Sequence, residues 1–402
     1  MYIFTKAKLL FYTILFLLPL FLHAQIQVGA EQFNDYLPLL KDKRVALVVN
    51  QTSRVGNVLL PDFLLSKQVN VVKIFAPEHG FRGNASAGEK VNDSKDLATG
   101  LPIISLYGKN FKPKASQLKD VDILIFDIQD VGCRFYTYIS TLHYVMEACA
   151  ETNKTLLVLD RPNPNGFYID GPVLEPEFKS FVGLHPVPIV YGMTIGEYAL
   201  MINGEGWLSQ NMKCSLQVIP CKKYTHDSMY KLPVPPSPNL PTMQAVYLYP
   251  SLCLFEGTVI SVGRGTAYPF ELIGKPGFVE GSYAFTPLSI PGKAEHPPYE
   301  GKECRGFKVT HFADDYVKLS KQLYLYWILG FYEKDTDKEH FFTSFFEKLA
   351  GTAMLRKQIM EGKSPNAIQD SWQPGINAFK KIRIKYLLYP DMIKDDRDVH
   401  VR

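Results

Sequence analysis

The sequence predicts an α/β fold built around a parallel β-sheet. In its first half, short and almost wholly apolar runs alternate with longer segments that can form crossover helices, which is the pattern of parallel strands buried on both faces. Polar turns rich in glycine and proline follow these runs, as expected where parallel strands end at a ligand-binding edge. The 402 residues, 46% of them hydrophobic, correspond to roughly two to three domains with sizeable cores, which excludes a disordered or fibrous protein.

The N-terminus has the pattern of a secretory signal peptide. Two lysines precede an apolar run at residues 9–22, and Ala24 follows as the small residue of a cleavage site. A membrane anchor needs roughly 18 to 20 uninterrupted apolar residues, whereas this run is shorter and contains Pro19. We expect residues 1–24 to be removed and the mature chain, which has no later transmembrane pattern, to be periplasmic or extracellular.

The composition does not indicate a nucleic-acid partner or a cofactor. The 44 Lys and Arg residues and the 40 Asp and Glu residues leave a net charge of +4, which is too small and too dispersed for a nucleic-acid surface. The dinucleotide, P-loop, H-E-x-x-H zinc and G-x-S-x-G hydrolase motifs are all absent from the sequence. We therefore expect no nucleotide, no metal and no other cofactor.

The six cysteines suit an exported chain, where disulfides are chemically allowed. They include no CxxC pair, so a zinc site built from cysteines is not predicted. Cys214 and Cys221 flank a strand-like stretch, and both a disulfide between them and isolated buried thiols are open.

The elements of the first half follow from the positions of the apolar runs. A short helix is predicted at residues 32–40, ahead of the first strand, and helical patterns at 59–67 and 136–150 provide crossovers. The predicted strands are residues 45–49, 71–75, 103–106, 122–126 and 155–159.

The composition changes at about residue 171. Prolines accumulate and the alternation of strand and helix is lost. We therefore predict one subdomain at residues 25–170 and a smaller α+β subdomain at residues 171–402.

The second half contains one well-defined helix start. Thr194 followed by Glu197 forms a capping box, which predicts a helix at residues 194–203. The other predicted elements are a strand at 244–249, a glycine-rich segment at 255–270, and helices at 314–327 and 341–349.

Four polar turns come directly after predicted strands. They are residues 50–53, 77–83, 127–132 and 160–166. Because the carboxyl ends of parallel strands meet at one edge of a sheet, we expect these turns to converge on one cleft.

The turn at residues 76–83 is the strongest candidate for chemistry. It places Glu78 beside His79 and Arg82 on a glycine-containing loop, where a rigid scaffold can hold a carboxylate while its pKa is tuned. The alternative is a loop that is merely stabilised by an ion pair.

Two acids follow the predicted strand at residues 122–126. Asp127 and Asp130 flank Gln129, and carboxylates this close can raise one another's pKa or bind hydroxyl groups. Either acid can instead cap the helix that follows, and the sequence leaves both interpretations open.

Two further loops suit ligand recognition. Arg161 and the residues from Asn163 to Gly166, with Asn165 among them, lie on a loop that its prolines make rigid, although the same pattern is also that of a tight turn. Arg264 and Thr266 lie among glycines, downstream of Glu256, and an arginine there can bind a carboxylate with two hydrogen bonds. The alternative for this segment is an ion-paired, bulged hairpin.

Five ordered segments together resemble one family. They are APEHGFRG at 76–83, DIQDVGCRFYTY at 127–138, DRPNPNG at 160–166, PSPNLP at 236–241 and FEGTVISVGRGT at 255–266. The chain resembles the exo-β-N-acetylmuramidase (NamZ-type) glycoside hydrolases over nearly its whole mature length.

The resemblance implies a fold and an activity. The fold is a Rossmann-like subdomain, with helices on both faces of its sheet, joined to a smaller one across an active-site cleft. The activity is hydrolysis of terminal, non-reducing, β-linked N-acetylmuramic acid from peptidoglycan fragments. The same cleft would also serve a binding protein that captures these fragments without cleaving them, and the oligomeric state is open.

A glycosidase of this kind requires an acid for the leaving oxygen and a second carboxylate, or the acetamido group of the substrate, at the anomeric carbon. Under the resemblance, Glu78 is the first choice for the general acid or base and Glu256 for the second carboxylate, with Asp127 and Asp130 in reserve. Retaining, inverting and substrate-assisted routes all stay open.

The substrate-binding candidates follow from the chemistry of muramic acid. Its lactyl carboxylate can be bound by an arginine fork, for which the candidates are Arg264, Arg161 and Arg82. His79, Gln129 and Asn165 are candidates for binding the hydroxyl or acetamido groups. Asn163 and Thr266, on the same loops, are further substrate-binding candidates.

Overall fold

The structure of the protein is a computed structural model. It describes residues 25–78, 80–81, 94–108 and 110–392. The predicted signal peptide at residues 1–24 lies outside the described residues, as do His79 and Arg82. None of the described helices combines the length and the apolar character that a bilayer crossing requires.

Strands occur in both halves of the chain. The described strands are β1 (Val45–Val49), β2 (Arg54–Val55), β3 (Val58–Leu59), β4 (Val71–Ala76), β5 (Ser94–Lys95), β6 (Pro102–Ser105), β7 (Ile123–Asp127), β8 (Thr155–Leu159), β9 (Ser215–Ile219), β10 (Leu272–Lys275), β11 (Tyr283–Phe285) and β12 (Cys304–Lys308).

Among the described residues, α-helices are few in the first half and numerous in the second. The described α-helices are α1 (Phe33–Tyr36), α2 (Leu60–Ser66), α3 (Tyr138–Glu151), α4 (Ile195–Gly204), α5 (Met243–Leu252), α6 (Thr310–Phe312), α7 (Lys318–Ser320), α8 (Tyr326–Lys334), α9 (Phe346–Ala350), α10 (Met354–Met360) and α11 (Pro365–Arg383). A 3₁₀ turn, Leu37–Leu40, continues α1, and a π-helical turn, Ala313–Val317, joins α6 to α7.

The central sheet has the order β5-β6-β4-β1-β7-β8-β9 among the described strands. All neighbours in it are parallel except β5, which runs antiparallel to β6 at the edge. The chain moves outward from β1 through β4 to β6 and then returns to β7 on the other side of β1. The predicted α/β fold and its five strands are confirmed, and the carboxyl ends of β1 and β7 form the topological switch point at which such sheets bind ligands.

The central strands are apolar throughout because both of their faces are covered. Ala46 and Val48 of β1 belong to the core under α3 and α4, whereas Val45 and Leu47 belong to the core under α1 and α2. This double burial is the physical reason that the runs show no alternation of polar and apolar residues.

The capping box of α4 is confirmed, and it ties the helix to the sheet. The Thr194 hydroxyl accepts a hydrogen bond from the Glu197 backbone N–H at 3.3 Å, and the Thr194 N–H donates to the Glu197 carboxylate at 2.9 Å. Asp160, directly after β8, accepts from the Thr194 hydroxyl at 2.7 Å and from the Gly196 N–H at 2.8 Å. The buried Asp160 therefore anchors the start of α4 at the carboxyl edge of the sheet.

One predicted element of the second half is wrong. Residues 244–249 were predicted as a strand but lie in helix α5. The Thr242 hydroxyl caps this helix by accepting a hydrogen bond from the Ala245 N–H at 3.0 Å, and the segment is buried at 245–249. An apolar run that is buried on all sides fits a helix as well as a strand, so its hydropathy does not distinguish the two.

The predicted helix at 314–327 is interrupted. Lys321 has a left-handed backbone with φ of +49° after α7, and the chain becomes helical again only at α8. The helix predicted at 341–349 is confirmed in part, since α9 covers its end.

The second half also contributes to the central sheet. Strand β9 lies beyond residue 170 but pairs in parallel with β8, and the smaller antiparallel sheet has the order β10-β12-β11. One apolar core includes both Phe75 in β4 and Trp372 in α11, so the two halves are packed together. All six cysteines are buried and free, which excludes a bridge between Cys214 and Cys221 in this structure.

A buried arginine links the two halves. Arg134 is fully buried, and its guanidinium donates to the carbonyls of Pro172 and Val187, at 2.8 Å each, and of Leu349 and Ala350, at 2.9 and 2.6 Å. Burial lowers the pKa of Arg134 to about 10, so the side chain still carries its charge at neutral pH. Carbonyl dipoles from three segments surround that charge.

Arg134→Met should lower the free energy of unfolding by about 3 kcal/mol or more, because each buried carbonyl that loses its donor costs roughly 1–3 kcal/mol. Urea unfolding followed by circular dichroism measures this loss. Arg44→Met is the control, since its ion pair with Asp122 is exposed to water and should contribute much less. Equal losses in the two variants would contradict the role of Arg134 as a link.

Candidate active site

A cavity of about 220 Å³ lies where the turn after β4 meets the proline-rich segment and the second half of the chain. Among the described residues, its charged lining consists of Glu78, Glu256 and Arg264. Aromatic and polar side chains complete the walls; among them are Tyr107, Phe135, Tyr136, Thr137, Tyr138, Phe181, Ser237, Asn239, Tyr249, Phe270 and Phe345.

Glu78 hydrogen-bonds hydroxyl groups on the wall of the cavity. It follows β4 in a turn that is closed by a hydrogen bond from the Gly80 N–H to the Pro77 carbonyl at 3.0 Å. The Thr137 hydroxyl donates to the Glu78 carboxylate at 2.9 Å. Burial, together with the charge of Glu78 and a hydrogen bond to it, raises the pKa of Tyr107, which keeps the phenol protonated and able to donate.

Glu256 is held in a two-point ion pair. The Arg264 Nε donates to Glu256 Oε1 at 2.5 Å, and its Nη2 donates to Oε2 at 3.1 Å. The Arg264 guanidinium also lies over the Phe270 ring, with 4.9 Å to the ring centroid. Arg264 has five N–H donors and donates two of them to Glu256, so the other three can donate to a ligand carboxylate.

The backbone on both sides of Arg264 requires glycine for steric reasons. Gly263 and Gly265 have φ of +77° and +79°, and a Cβ on Gly265 would lie 2.5 Å from the Leu288 carbonyl oxygen. The Thr266 hydroxyl donates to the Gly263 carbonyl at 2.7 Å and closes the turn. Thr266 therefore shapes the loop that presents Arg264, and it is not part of the cavity wall.

Asp127 and Arg161 form an ion pair beneath the carboxyl edge of the sheet. The Arg161 Nε and Nη2 donate to the two Asp127 carboxylate oxygens at 2.5 and 2.9 Å, and both side chains are buried. Burial raises the pKa of Asp127 against the opposing charge of Arg161. The pair joins the ends of β7 and β8, and neither residue lines the cavity.

Asp130 is a second buried acid of this edge. It accepts hydrogen bonds from the Gly132 N–H at 2.7 Å and from the Tyr191 hydroxyl. Its Oδ1 is buried and has no hydrogen-bond partner among the described residues. Burial raises the pKa of Asp130 to about 6.

The remaining polar candidates bind the backbone of neighbouring loops. The Gln129 amide donates to the carbonyls of Asp130 and Pro162, at 2.8 Å each. The Asn163 amide donates to Met193 O at 2.8 Å, and that of Asn165 to Val131 O at 2.9 Å. These side chains are buried and connect loops to one another.

The structure thus brings together Glu78, Glu256 and Arg264 of the predicted site. The other described candidates do not line the cavity; they are Asp127, Gln129, Asp130, Arg161, Asn163, Asn165 and Thr266. His79 and Arg82 fall outside the described residues, and the assignment of every candidate to a role in the reaction stays a prediction.

Several residues of the cavity wall were not among the sequence candidates. Thr137 and the aromatic residues around it belong to the FYTY end of the segment at 127–138, and Ser237 and Asn239 belong to PSPNLP. Both segments carried the family resemblance, which was the available signal. Tyr107 and Phe181 had no such signal, because they reach the cavity only through the fold.

The arrangement can perform acid and base chemistry on a neutral or anionic ligand. One carboxylate has hydroxyl partners and the other has a cation, so their environments differ. Among the described residues, no three His, Cys, Asp or Glu side chains are grouped closely enough to hold a metal ion.

Comparisons with family models and with known proteins identify the same family over most of the chain. The family model described as "Exo-beta-N-acetylmuramidase NamZ, N-terminal" matches residues 45–244, and its C-terminal counterpart matches residues 247–389. The "Peptidoglycan beta-N-acetylmuramidase NamZ" of Bacillus subtilis (strain 168) is 41% identical over 397 residues, covering 91% of this chain and 92% of that protein.

Two crystal structures from Bacteroides fragilis NCTC 9343, each described as a DUF1343 family protein, are similar in fold. One is 49% identical with a TM-score of 0.85, covering 92% of this chain and 100% of that chain. The other is 31% identical with a TM-score of 0.71, covering 90% of this chain and 99% of that chain.

Asp130→Asn should flatten the dependence of stability on pH. Because the folded-state pKa of Asp130 is about 6, above its ordinary value of 3.8, the folded state binds more protons than the unfolded state between about pH 4 and pH 6. The free energy of unfolding therefore falls as the pH rises through this range. The total fall is about 1.4 kcal/mol for each unit by which the folded-state pKa exceeds the ordinary pKa. Urea unfolding at several pH values measures the slope in the two proteins.

Asp122→Asn is the matched control for this experiment. The hydrogen bond from Arg44 lowers the pKa of Asp122, so this exposed acid is ionised throughout the upper part of the range. Its replacement should leave the slope above about pH 5 unchanged, and an Asp130→Asn slope equal to that of the unchanged protein would contradict the prediction.

Proposed function

The chain belongs to the exo-β-N-acetylmuramidase NamZ family, and we propose that it acts through the cavity that contains Glu78, Glu256 and Arg264. The enzyme is an exo-acting glycosidase that releases terminal, non-reducing, β-linked N-acetylmuramic acid from peptidoglycan fragments. The observation that carries the proposed site is the meeting of two carboxylates and an arginine in one aromatic-lined cavity.

Glu78 is the proposed general acid. Its partners include the hydroxyl groups of Thr137 and Tyr107, and the Thr137 hydroxyl can either donate to a carboxylate or accept from a carboxylic acid by rotating about its C–O bond. Both protonation states of Glu78 can therefore be stabilised, as a residue that gives up and regains a proton requires.

Glu256 is the proposed second carboxylate. Its ion pair with Arg264 supports a charged carboxylate, which can stabilise the positive charge that develops at the anomeric carbon. The same charge suits either attack on that carbon or activation of a water molecule.

The chemical balance of the reaction is that of a hydrolysis. The bond between the anomeric carbon and the glycosidic oxygen breaks, and the proton of Glu78 goes to the leaving oxygen. The oxygen of a water molecule bonds to the anomeric carbon, and one proton of that water restores the carboxylic acid. No oxidant, reductant or further co-reactant is consumed.

Arg264 is the proposed reader of the lactyl carboxylate, the group that distinguishes N-acetylmuramic acid from N-acetylglucosamine. Three of its N–H donors are not used by Glu256. A charge-assisted hydrogen bond from a half-buried guanidinium is stronger than one between neutral groups. The arginine thus serves both the catalytic carboxylate and the substrate carboxylate.

We also propose that the chain is exported. Residues 9–22 are apolar and follow two lysines, as in a secretory signal peptide. Export suits the substrate, because peptidoglycan lies outside the cytoplasmic membrane.

Glu78→Gln should lower kcat by about 10²–10⁴-fold on the disaccharide in which N-acetylmuramic acid is β-linked to N-acetylglucosamine, because an amide cannot protonate the leaving oxygen. The loss should be smaller on an aryl β-N-acetylmuraminide with an acidic phenol, which leaves without protonation. Disaccharide cleavage is followed by chromatography and phenol release by absorbance.

Glu300→Gln, an exposed acid outside the cavity wall, is the control and should retain full activity. Equal losses on the two substrates would reject the acid role of Glu78. A folded wild-type protein that binds the disaccharide but cleaves neither substrate would instead identify a fragment-binding protein.

Arg264→Met should reduce the preference for the muraminide over the corresponding glucosaminide. We expect the ratio of their kcat/KM values to fall by about tenfold or more, since a hydrogen bond to a charged group contributes roughly 1.5–3 kcal/mol. Arg356→Met is a matched control, because Arg356 also has a carboxylate partner and an aromatic ring beneath it but lies outside the cavity wall. An unchanged ratio in Arg264→Met would refute this role.

A further inference from the structure

Four aromatic rings form a continuous group beside the cavity, which we call the aromatic shelf: Tyr107, Phe111, Tyr144 and Phe181. Phe111 stacks on Phe181 with 4.2 Å between ring centroids and 30° between ring planes. Tyr144 is stacked against both, at 6.3 Å from each, and Tyr107 meets both edge-on, at 6.1 and 6.2 Å. The four side chains are only partly buried, so the shelf retains surface for a ligand.

The shelf is continuous with the proposed catalytic site. Tyr107 and Phe181 line the cavity, and Tyr107 also hydrogen-bonds Glu78. Phe111 and Tyr144 extend the same surface away from the cavity wall. A ligand that reaches from Glu78 along Tyr107 would therefore pass onto the shelf.

The rim of the shelf is polar. Lys112, next to Phe111 in the chain, donates to Glu151 at 2.8 Å and to Glu147 at 3.4 Å, and both acids lie on helix α3 with Tyr144. Apolar rings flanked by a few polar groups suit a sugar, whose C–H face stacks on aromatic carbon while its hydroxyls form hydrogen bonds at the edge.

The contacts of the two carboxylates suggest a direction for the bound glycan. Glu256 and Arg264 form one group with Phe270, which would take the terminal sugar and its lactyl carboxylate. Glu78 has its contacts with Thr137 and Tyr107, so the acid lies on the shelf side. The leaving oxygen, which the acid protonates, belongs to the sugar on that side of the bond.

We propose that the aromatic shelf binds the sugar on the leaving-group side of the scissile bond, an N-acetylhexosamine of peptidoglycan. This assignment rests on the proposed function. It makes the shelf a specificity surface for oligosaccharide substrates, and substrates without a second sugar do not use it.

Phe111→Ala tests the shelf at a ring that does not itself line the cavity. The two substrates are methyl β-N-acetylmuraminide, which has no second sugar, and the disaccharide with N-acetylglucosamine. Loss of stacking area should lower kcat/KM on the disaccharide by about tenfold more than on the methyl glycoside. Free N-acetylglucosamine should also inhibit the variant more weakly than the wild type.

Two further variants separate binding from folding. Phe111→Tyr keeps a ring and should restore the ratio of the two kcat/KM values to that of the wild type. Tyr326→Ala removes a half-exposed ring from a separate aromatic cluster, where its neighbour is Tyr324 at 5.1 Å, and should leave the ratio unchanged. Thermal unfolding of each variant confirms that it is folded at the assay temperature.

The outcomes separate this assignment from the proposed function. An equal loss on both substrates in Phe111→Ala, or no loss on either, would overturn the shelf assignment while leaving the glycosidase activity established by the wild type. A wild-type protein that hydrolyses neither substrate would overturn the proposed function and the shelf assignment with it.

Discussion

The shape of the cavity depends on a buried positive charge. Arg134 binds four carbonyls and precedes the residues at 135–138, which line one wall, while Leu349, one of its partners, lines another. In the part of the chain that the structure describes, Arg134 has no carboxylate partner, and carbonyl dipoles from three segments stabilise its charge instead. Gly351 belongs to the same constraint: its φ is +76°, and a Cβ on it would lie 2.4 Å from Arg134 Nη2. The hydrogen bonds of Arg134 and the missing side chain of Gly351 therefore fix how the two halves of the chain pack at this point.

The carboxyl edge of the sheet shows how a fold uses polar residues that look functional. Asp127 binds Arg161, and Asp160 anchors the start of α4. Burial raises the pKa of both acids, but their hydrogen bonds go to the protein itself. Such groups stabilise the loops that surround a site. Glu78, which follows β4 on the other side of β1, differs because it lines the cavity.

The cavity gives two carboxylates different neighbours. The hydroxyl groups of Thr137 and Tyr107 surround Glu78, whereas the Arg264 guanidinium binds both carboxylate oxygens of Glu256. Division of roles between acids by environment is a general way for glycosidases to work at one pH. The arginine that holds Glu256 retains donors for the anionic group of the substrate, so recognition and chemistry share a side chain.

The sequence by itself determined the sheet, since runs such as residues 45–49 are apolar on both faces. It also determined the start of α4, because Thr194 is the N-cap of that helix and forms a capping box with Glu197. It also brought forward Glu78 and Glu256 as candidates through recognisable local motifs. Only the tertiary structure decided that residues 244–249 are helical, because a fully buried run has no periodicity to distinguish helix from strand. It alone paired Glu78 with Thr137, 59 positions away, since the contacts that build a cavity join residues whose separation along the chain carries no information about their distance in space.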